Sequence, residues 1–211
     1  MKLVVFGANG GVGKEVVAQA LQAGHQVVGV VRESATPNEE YQKLSMVQGS
    51  ITDFNFVADI TKDADVVIST IGTSQYKQPV SLYSSAAQTL TTAMKTAKSK
   101  RLIVLSAGGA TIEKNDPLLF KLIFKPLLQK VFHYLYEDML RMEIILQKSD
   151  LDWTIMRLAY LKDKPGKGTY RTEHNAGVRY GFSINRADVA DYIVTHLTDQ
   201  QDYRQVVCIA Y

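Results

Sequence analysis

The sequence has few of the residues that build disulfides, thiolate metal sites or membrane spans. Its 211 residues include one cysteine, Cys208. A single thiol cannot form a disulfide within the chain and cannot assemble a thiolate metal site. No apolar run reaches the roughly 20 residues of a membrane span. We expect no membrane partner and a cytoplasmic location, because the first predicted strand begins at Lys2 and leaves no room for a signal peptide.

Concentrated charge of one sign is also missing. The formal net charge is +3, and lysine and arginine form no run. Nucleic-acid-binding domains usually carry a basic patch or stripe, so the sequence predicts no nucleic-acid partner. The four histidines are scattered without metal-ligand spacing, which favours solvated or structural roles. We therefore predict no metal site.

Strand and helix patterns alternate along the whole chain, which is typical of a parallel sheet covered by helices. They predict one domain over residues 1–211 with an α/β, doubly wound parallel sheet of the Rossmann-like NAD(P)-binding type. The predicted strands are Lys2–Phe6, Val27–Val31, Met46–Gln48, Asp65–Ile71, Arg101–Ser106, Leu151–Leu158 and Val206–Ile209, the last closing the sheet. After the first helix, the predicted helices are Phe54–Lys62, Ser81–Lys98 and one capped by Asn185.

The glycine-rich segment Gly7–Gly13 is the most informative part of the chain. An apolar strand pattern precedes it, an amphipathic helix pattern follows it, and a second strand comes next. In a dinucleotide-binding unit, glycines allow the sharp turn, the approach of a pyrophosphate and close packing of the helix on the sheet. The pyrophosphate then lies at the positive end of the helix dipole. This order of elements predicts nucleotide binding.

Arg32 ends the second predicted strand, beside the expected position of the adenosine ribose. An acidic residue there would accept hydrogen bonds from the 2′-hydroxyl of NAD, whereas arginine suits the 2′-phosphate of NADP. NADP(H) is therefore favoured over NAD(H). The alternative is a solvated arginine at a strand end.

Two stretches interrupt the alternation of strands and helices. Lys162–Gly181 contains one proline and four glycines and predicts a loop or small hairpin over the carboxyl edge of the sheet. Pro117–Leu146 is rich in apolar and aromatic residues. It fits a hydrophobic lid over a flat aromatic substrate, an ordinary core helix or a dimer seam. We interpret both stretches as substrate-side elements.

The chain resembles a group of small, atypical short-chain dehydrogenases, the NADPH-flavin reductases and biliverdin-IXβ reductases, together with nitrogen-regulator-like proteins. The resemblance extends nearly from end to end. The segments that match this group are Gly7–Gly13, Val31-Arg32, Gly49–Asp53, Ile71–Thr73, Leu105–Ala107, Glu137–Met142, Ser149–Thr154 and Arg186–Val189.

Carried over position by position, the resemblance implies where the cofactor and substrate bind. Asn9 to Gly13 would hold the pyrophosphate, and the two residues after Gly49 would flank the adenine. Ser106 and Tyr160 would lie near the nicotinamide. The implied cofactor-binding residues are Gly7, Asn9, Gly10, Gly11, Val12, Gly13, Arg32, Ser50, Ile51, Ile71, Gly72, Thr73 and Ser106.

The sequence lacks the tyrosine–lysine pair of carbonyl-reducing short-chain dehydrogenases. Short-chain dehydrogenases that reduce carbonyls use a tyrosine four residues before a lysine as the proton donor. Here Tyr134 is followed at that spacing by Asp138 and Tyr136 by Leu140, and the lysine-equivalent position falls at Met139. The resembled flavin reductases also lack the pair. An electron-poor flavin or quinone ring accepts hydride directly, and the enzyme need only hold two flat rings together.

These observations predict an NAD(P)H-dependent oxidoreductase that transfers hydride from NADPH to a flavin or a quinone. Ser106 and Tyr160 are the predicted catalytic residues. Ser106 has no evident nucleophile-activating partner in the sequence and could be a plain strand-terminal serine, and Tyr160 could be a packing aromatic. A redox sensor that binds NADP(H) and signals to a protein partner is the alternative function. The sequence leaves a monomer and a homodimer open.

Overall fold

The computed structural model describes residues 1–32, 43–98, 100–113 and 115–211. Its helices are α1 (Gly11–Gln22), α2 (Phe54–Thr61), α3 (Leu82–Ala93), α4 (Lys125–Val131), α5 (His133–Gln147) and α6 (Arg186–Thr195), with a π-helical turn at Phe120–Phe124 and a 3₁₀ turn at Gln200–Asp202. Its strands are β1 (Lys2–Phe6), β2 (Gln26–Val31), β3 (Leu44–Gln48), β4 (Val66–Ser69), β5 (Arg101–Ala107), β6 (Asp152–Leu158), β7 (Tyr160–Lys162), β8 (Arg171–His174), β9 (Ser183–Asn185) and β10 (Gln205–Ala210).

The main sheet has eight strands in the order β3-β2-β1-β4-β5-β6-β10-β8. Its first seven strands run parallel, and β8 pairs with β10 in the antiparallel direction. The chain order reverses between β1 and β4, and open α/β sheets bind ligands at such a point, beyond the carboxyl ends of the strands. The Rossmann-like fold predicted from the sequence is confirmed.

Two apolar layers cover the faces of the sheet, because successive side chains of a strand point to opposite sides. In β1, Leu3 and Val5 belong to the core on the side of α1 and α6. Val4 and Phe6 belong to the core on the side of α2, α3 and α5. Each of these four side chains is at most 1% exposed. Both faces are therefore buried, as expected for parallel strands.

The last strand does not close the sheet, contrary to the sequence prediction. The strand predicted at Val206–Ile209 lies inside the sheet, and β8 is the edge strand. β8 comes from Lys162–Gly181, which the sequence predicted as a loop or small hairpin. Its pattern was weak because an edge strand has few buried positions, and only Thr172 of its four residues is even half-buried.

Two helix predictions also need correction. The helix predicted at Ser81–Lys98 ends at Ala93, so Lys95 and Lys98 lie beyond its last turn. Asn185 precedes α6 as predicted but does not cap it with its side chain. Its Nδ2 instead donates to the Pro165 carbonyl at 2.8 Å, which ties the 162–181 segment to the sheet.

Buried Asp138 connects α5 to the start of α3. Its Oδ2 accepts from the backbone N–H of Tyr83 at 2.8 Å, and its Oδ1 accepts from the Ser84 hydroxyl. Ser81, the residue before α3, makes no side-chain cap of its own. A carboxylate at a helix N-terminus is favoured by the helix dipole, so Asp138 replaces the missing local cap.

No helix among the described residues is both long enough and apolar enough to cross a membrane.

Candidate active site

The carboxyl edge of the sheet opens into a cavity of about 1150 Å³. Its wall includes the glycine-rich turn after β1, the ends of β2, β5 and β6, and the loop after β4. Part of the segment between residues 113 and 139 closes the other side. Sites for one small ligand usually span about 300–1,000 Å³. The cavity is therefore larger than the usual site for one small ligand.

The glycine-rich turn has the geometry of a phosphate-binding loop. Gly7 has φ = +79°, and a Cβ there would lie 2.9 Å from the carbonyl oxygen of Thr70. A Cβ on Gly13 would lie 2.1 Å from the carbonyl oxygen of Gly7, so only glycine lets α1 pack this closely. Gly10 precedes α1 without a side-chain cap. The exposed N-terminus of a helix attracts anions through its N–H groups and its dipole.

Most of the predicted site residues lie on the cavity wall. Gly13 and Thr73 are not among the lining residues. Gly13 belongs to the first turn of α1 and is buried against Gly7. The Thr73 hydroxyl accepts from the backbone N–H of Gln75. The predicted residues on the wall are Gly7, Asn9, Gly10, Gly11, Val12, Arg32, Ser50, Ile51, Ile71, Gly72, Ser106 and Tyr160.

The described residues that line the cavity beyond β2 include the cation Arg32 and the apolar side chain of Ile51. Arg32 is exposed at the end of β2, and its backbone carbonyl accepts from the side-chain amide of Gln48. Ile51 is 6% exposed and packs with the core behind it. The hydroxyl of Ser50 bonds to that of Thr52 at 2.8 Å, so part of its bonding capacity is used locally.

Ser106 belongs to a buried network that the sequence did not predict. Its hydroxyl donates to Glu143 Oε1 at 2.6 Å. Arg157 donates to both oxygens of Glu143, from Nε at 3.2 Å and from Nη2 at 2.5 Å. Its Nη1 donates to Glu113 Oε1 at 2.6 Å. Burial alone would lower the pKa of Arg157, but the hydrogen bond to Glu143 and the charges of Glu143 and Glu113 together outweigh it. The pKa is therefore raised, and the guanidinium stays charged.

A second ion pair extends this network along the cavity wall. Lys125 Nζ lies 2.5 Å from Asp116 Oδ2, and both side chains are less than a tenth exposed. Asp116 also accepts from the backbone N–H of Glu113 at 2.7 Å.

Burial, followed by the Glu113 carboxylate, raises the pKa of Cys208 to about 12, so this thiol stays protonated.

Two contacting pairs of aromatic side chains line the cavity, and we call these four residues the aromatic wall. Phe132 and Tyr136 have ring centroids 5.6 Å apart, and those of Phe120 and Phe182 are 5.3 Å apart. Burial raises the pKa of Tyr136, so its hydroxyl keeps its proton at neutral pH. This wall offers a flat ligand apolar surface with one phenol group.

The predicted absence of a tyrosine–lysine pair agrees with the positions of these residues. Tyr134 is exposed and does not line the cavity, and Asp138, four residues later, is committed to α3. Met139 does line the cavity. Lys125, a lysine on the wall, is bound to a carboxylate rather than to a tyrosine hydroxyl.

A family model described as NAD(P)H-binding matches residues 7–200. The chain belongs to this NAD(P)H-binding family. A full-length relative is the uncharacterized protein YwnB of Bacillus subtilis, which is 24% identical over 202 residues and aligns over 94% of this chain and 92% of its own.

Solved structures show the same family fold. A protein of Streptococcus pneumoniae described as an NADH-flavin reductase superposes with a TM-score of 0.78 at 21% identity, over 100% of this chain and 99% of its own. The anaerobillin reductase ChuY of Escherichia coli O157:H7 superposes with a TM-score of 0.75 at 25% identity, over 100% of this chain and 97% of its own.

Sequence reasoning missed Arg186 and Arg157, which line the cavity, and buried Glu143, which binds Arg157 and Ser106. Arg186 crosses the glycine-rich turn, since a Cβ on Gly11 would lie 2.5 Å from its Nε, and its Nη1 donates to Asp163. Glu143 and Arg157 were missed because their partners are distant in sequence. The one available signal was an arginine in the otherwise apolar last part of the β6 pattern.

We expect Arg157→Met to lower the free energy of unfolding by about 3–5 kcal/mol, because it leaves two buried carboxylates without their cation. Chemical denaturation at neutral pH measures this loss. Arg204→Met is the matched control, since Arg204 is 57% exposed and lies 3.8 Å from its partner Asp152. A loss no larger than that of the control would mean that the carboxylates do not depend on Arg157.

Proposed function

We propose that this protein is an NADPH-dependent reductase whose acceptor is a flat aromatic molecule, a flavin or a quinone. The observation that carries the proposal is the continuity of the cavity. One cavity is lined by the uncapped N-terminus of α1, by Arg32 and by the aromatic wall. Ser106, on β5, lines the same cavity.

The residues present fit a phosphorylated dinucleotide. The N-terminus of α1 would hold the diphosphate, because glycine leaves the backbone accessible and no side chain caps the helix. Arg186 adds a cation beside this turn. Arg32 would pair with the 2′-phosphate through its forked donors, and Ile51 would pack against the adenine.

When bound, reduced nicotinamide supplies a hydride. Ser106 would orient the bound ligand and would not donate a proton to it. Its hydroxyl already donates a hydrogen bond to Glu143, so only its oxygen lone pairs remain for the ligand. Tyr160 is 74% exposed, so water competes with it for any proton transfer. A flavin or quinone suits such a site, because its ring accepts hydride without a strong acid beside it.

The related reductases support the class of acceptor. Two proteins of the same fold are described as reductases for a flavin and for an anaerobillin. The aromatic wall of Phe120, Phe132, Tyr136 and Phe182 would give an extended ring apolar contact area on this side of the cavity.

We expect the purified chain to oxidise NADPH in the presence of FMN, riboflavin or a simple quinone, because the proposed NADPH site and the aromatic wall border the same cavity. Absorbance of NADPH under anaerobic conditions measures the rate, with no-acceptor and no-protein samples as controls. Absence of turnover above background with every acceptor would refute the reductase proposal. Tight NADPH binding without turnover would instead support a redox sensor.

We expect Arg32→Ala to weaken NADPH binding by about ten- to a hundredfold, because loss of a charge-assisted pair costs roughly 1.5–3 kcal/mol. NADH lacks the 2′-phosphate, so its affinity should change little. Titration of both cofactors against both proteins measures the difference, and Arg204→Ala is the control for loss of an exposed arginine. Equal weakening of NADPH and NADH would contradict the assignment.

We expect Ser106→Ala and Tyr160→Phe each to slow hydride transfer by about tenfold or less, because neither is a strong acid in this site. A positioned general acid contributes about 10²–10⁴-fold. Single-turnover kinetics with saturating NADPH measure the step, and Tyr180→Phe is the control for an exposed tyrosine outside the cavity wall. A loss of about a thousandfold in Tyr160→Phe, with cofactor binding intact, would identify Tyr160 as the proton donor.

A further inference from the structure

A continuous stretch of apolar side chains is exposed beside the cavity. We call it the apolar ridge, and every member is between 49% and 73% exposed: Leu118, Leu119, Leu122, Ile123, Phe124, Leu127 and Val131. The ridge extends from the two residues before the π-helical turn, through that turn, to the end of α4. Soluble monomers rarely expose apolar patches of this kind unless something binds them.

The charged residues within the ridge's own segment are all of one sign. Residues 117–136 contain no aspartate or glutamate, and they contain three lysines. Lys125 is buried against Asp116, whereas Lys130 is exposed. Arg179 adds an exposed guanidinium 5.1 Å from the ring of Tyr180, which flanks the ridge. Leucine, isoleucine and aromatic side chains beside lysine and arginine are typical of helices that lie in a lipid interface.

The ridge also borders the cavity. An apolar groove of about 320 Å³ lies at its base, lined by Pro117, Leu119, Phe120, Phe124, Tyr180 and Phe182. Phe120 and Phe182 line the main cavity as well. The half-exposed rings of Tyr180 and Phe182 extend the apolar surface onto the segment before β9.

We propose that the apolar ridge docks this protein on the surface of an anionic lipid bilayer. The apolar side chains would enter the region between headgroups and acyl chains, and Lys130 and Arg179 would meet the lipid phosphates. The sequence predicted no membrane partner because no segment is long enough to span a bilayer. A helix lying in the interface needs no such length.

A second copy of the chain fits the ridge less well. A twofold interface brings the same patch of each copy together. Two acid-free, lysine-bearing segments would then face each other, and like charges at close range repel. An anionic lipid surface instead presents negative charge to Lys130 and Arg179.

Sedimentation of the full chain with vesicles tests the proposal. We expect binding to phosphatidylcholine vesicles that contain phosphatidylglycerol to be about tenfold or more stronger than to pure phosphatidylcholine. High salt should reduce the difference, since exposed charges are screened. The double variant Leu122→Ser/Leu127→Ser should weaken binding by about tenfold or more, because it removes apolar area that enters the lipid.

Ile144→Ser is the matched control, because Ile144 is 50% exposed on α5 and lies outside the ridge. It should bind vesicles as the unchanged chain does, and thermal unfolding checks that every variant is folded. Unchanged vesicle binding in the double variant, or equal binding to both vesicle types, would overturn the proposal. So would a dimer that binds no vesicles and that the double variant converts to a monomer. None of these readouts uses NADPH oxidation, so they are separate from the test of the reductase.

Discussion

The buried pairing of Glu143 with Arg157 fixes the wall of the cavity on which the proposed chemistry depends. It joins α5 to β6. The Glu143 carboxylate also accepts a hydrogen bond from the hydroxyl of Ser106 on β5. Buried charges are costly unless they are paired and hydrogen-bonded, so this network favours one position of α5 on the sheet. Tyr136 lies two turns earlier on the same helix, and its position on the aromatic wall follows from that packing.

Much of the fold could be predicted because its signals are local. The glycine-rich segment lies between a strand pattern and a helix pattern, and apolar runs mark the buried parallel strands. The antiparallel edge strand β8 was missed, because an exposed edge leaves little apolar alternation in the sequence. The predicted helix from Ser81 ran too far, since alanine and lysine continue a helical pattern beyond the end of α3.

The site was predictable only where backbone geometry defines it. The turn residues and Arg32 follow from the order of the elements, and the structure places Arg32 and every predicted turn residue except Gly13 on the cavity wall. The partner of Ser106 could not be inferred, because Glu143 is 37 residues away and only the packing of α5 brings the two together. Lys125 and Asp116 present the same difficulty, since nothing in a sequence distinguishes a buried lysine from a solvated one before its partner is known.

Asp138 has a consequence for any attempt to alter the chemistry of this fold. It lies four residues after Tyr134, where a tyrosine–lysine pair built on Tyr134 would need its lysine. Here that side chain is fully buried and binds the first turn of α3. A lysine in its place would bring an unpaired cation to the positive end of that helix and leave its N–H groups without their acceptor. A tyrosine–lysine pair built on Tyr134 therefore requires a new cap for α3 as well, so the single substitution at Asp138 does not provide one.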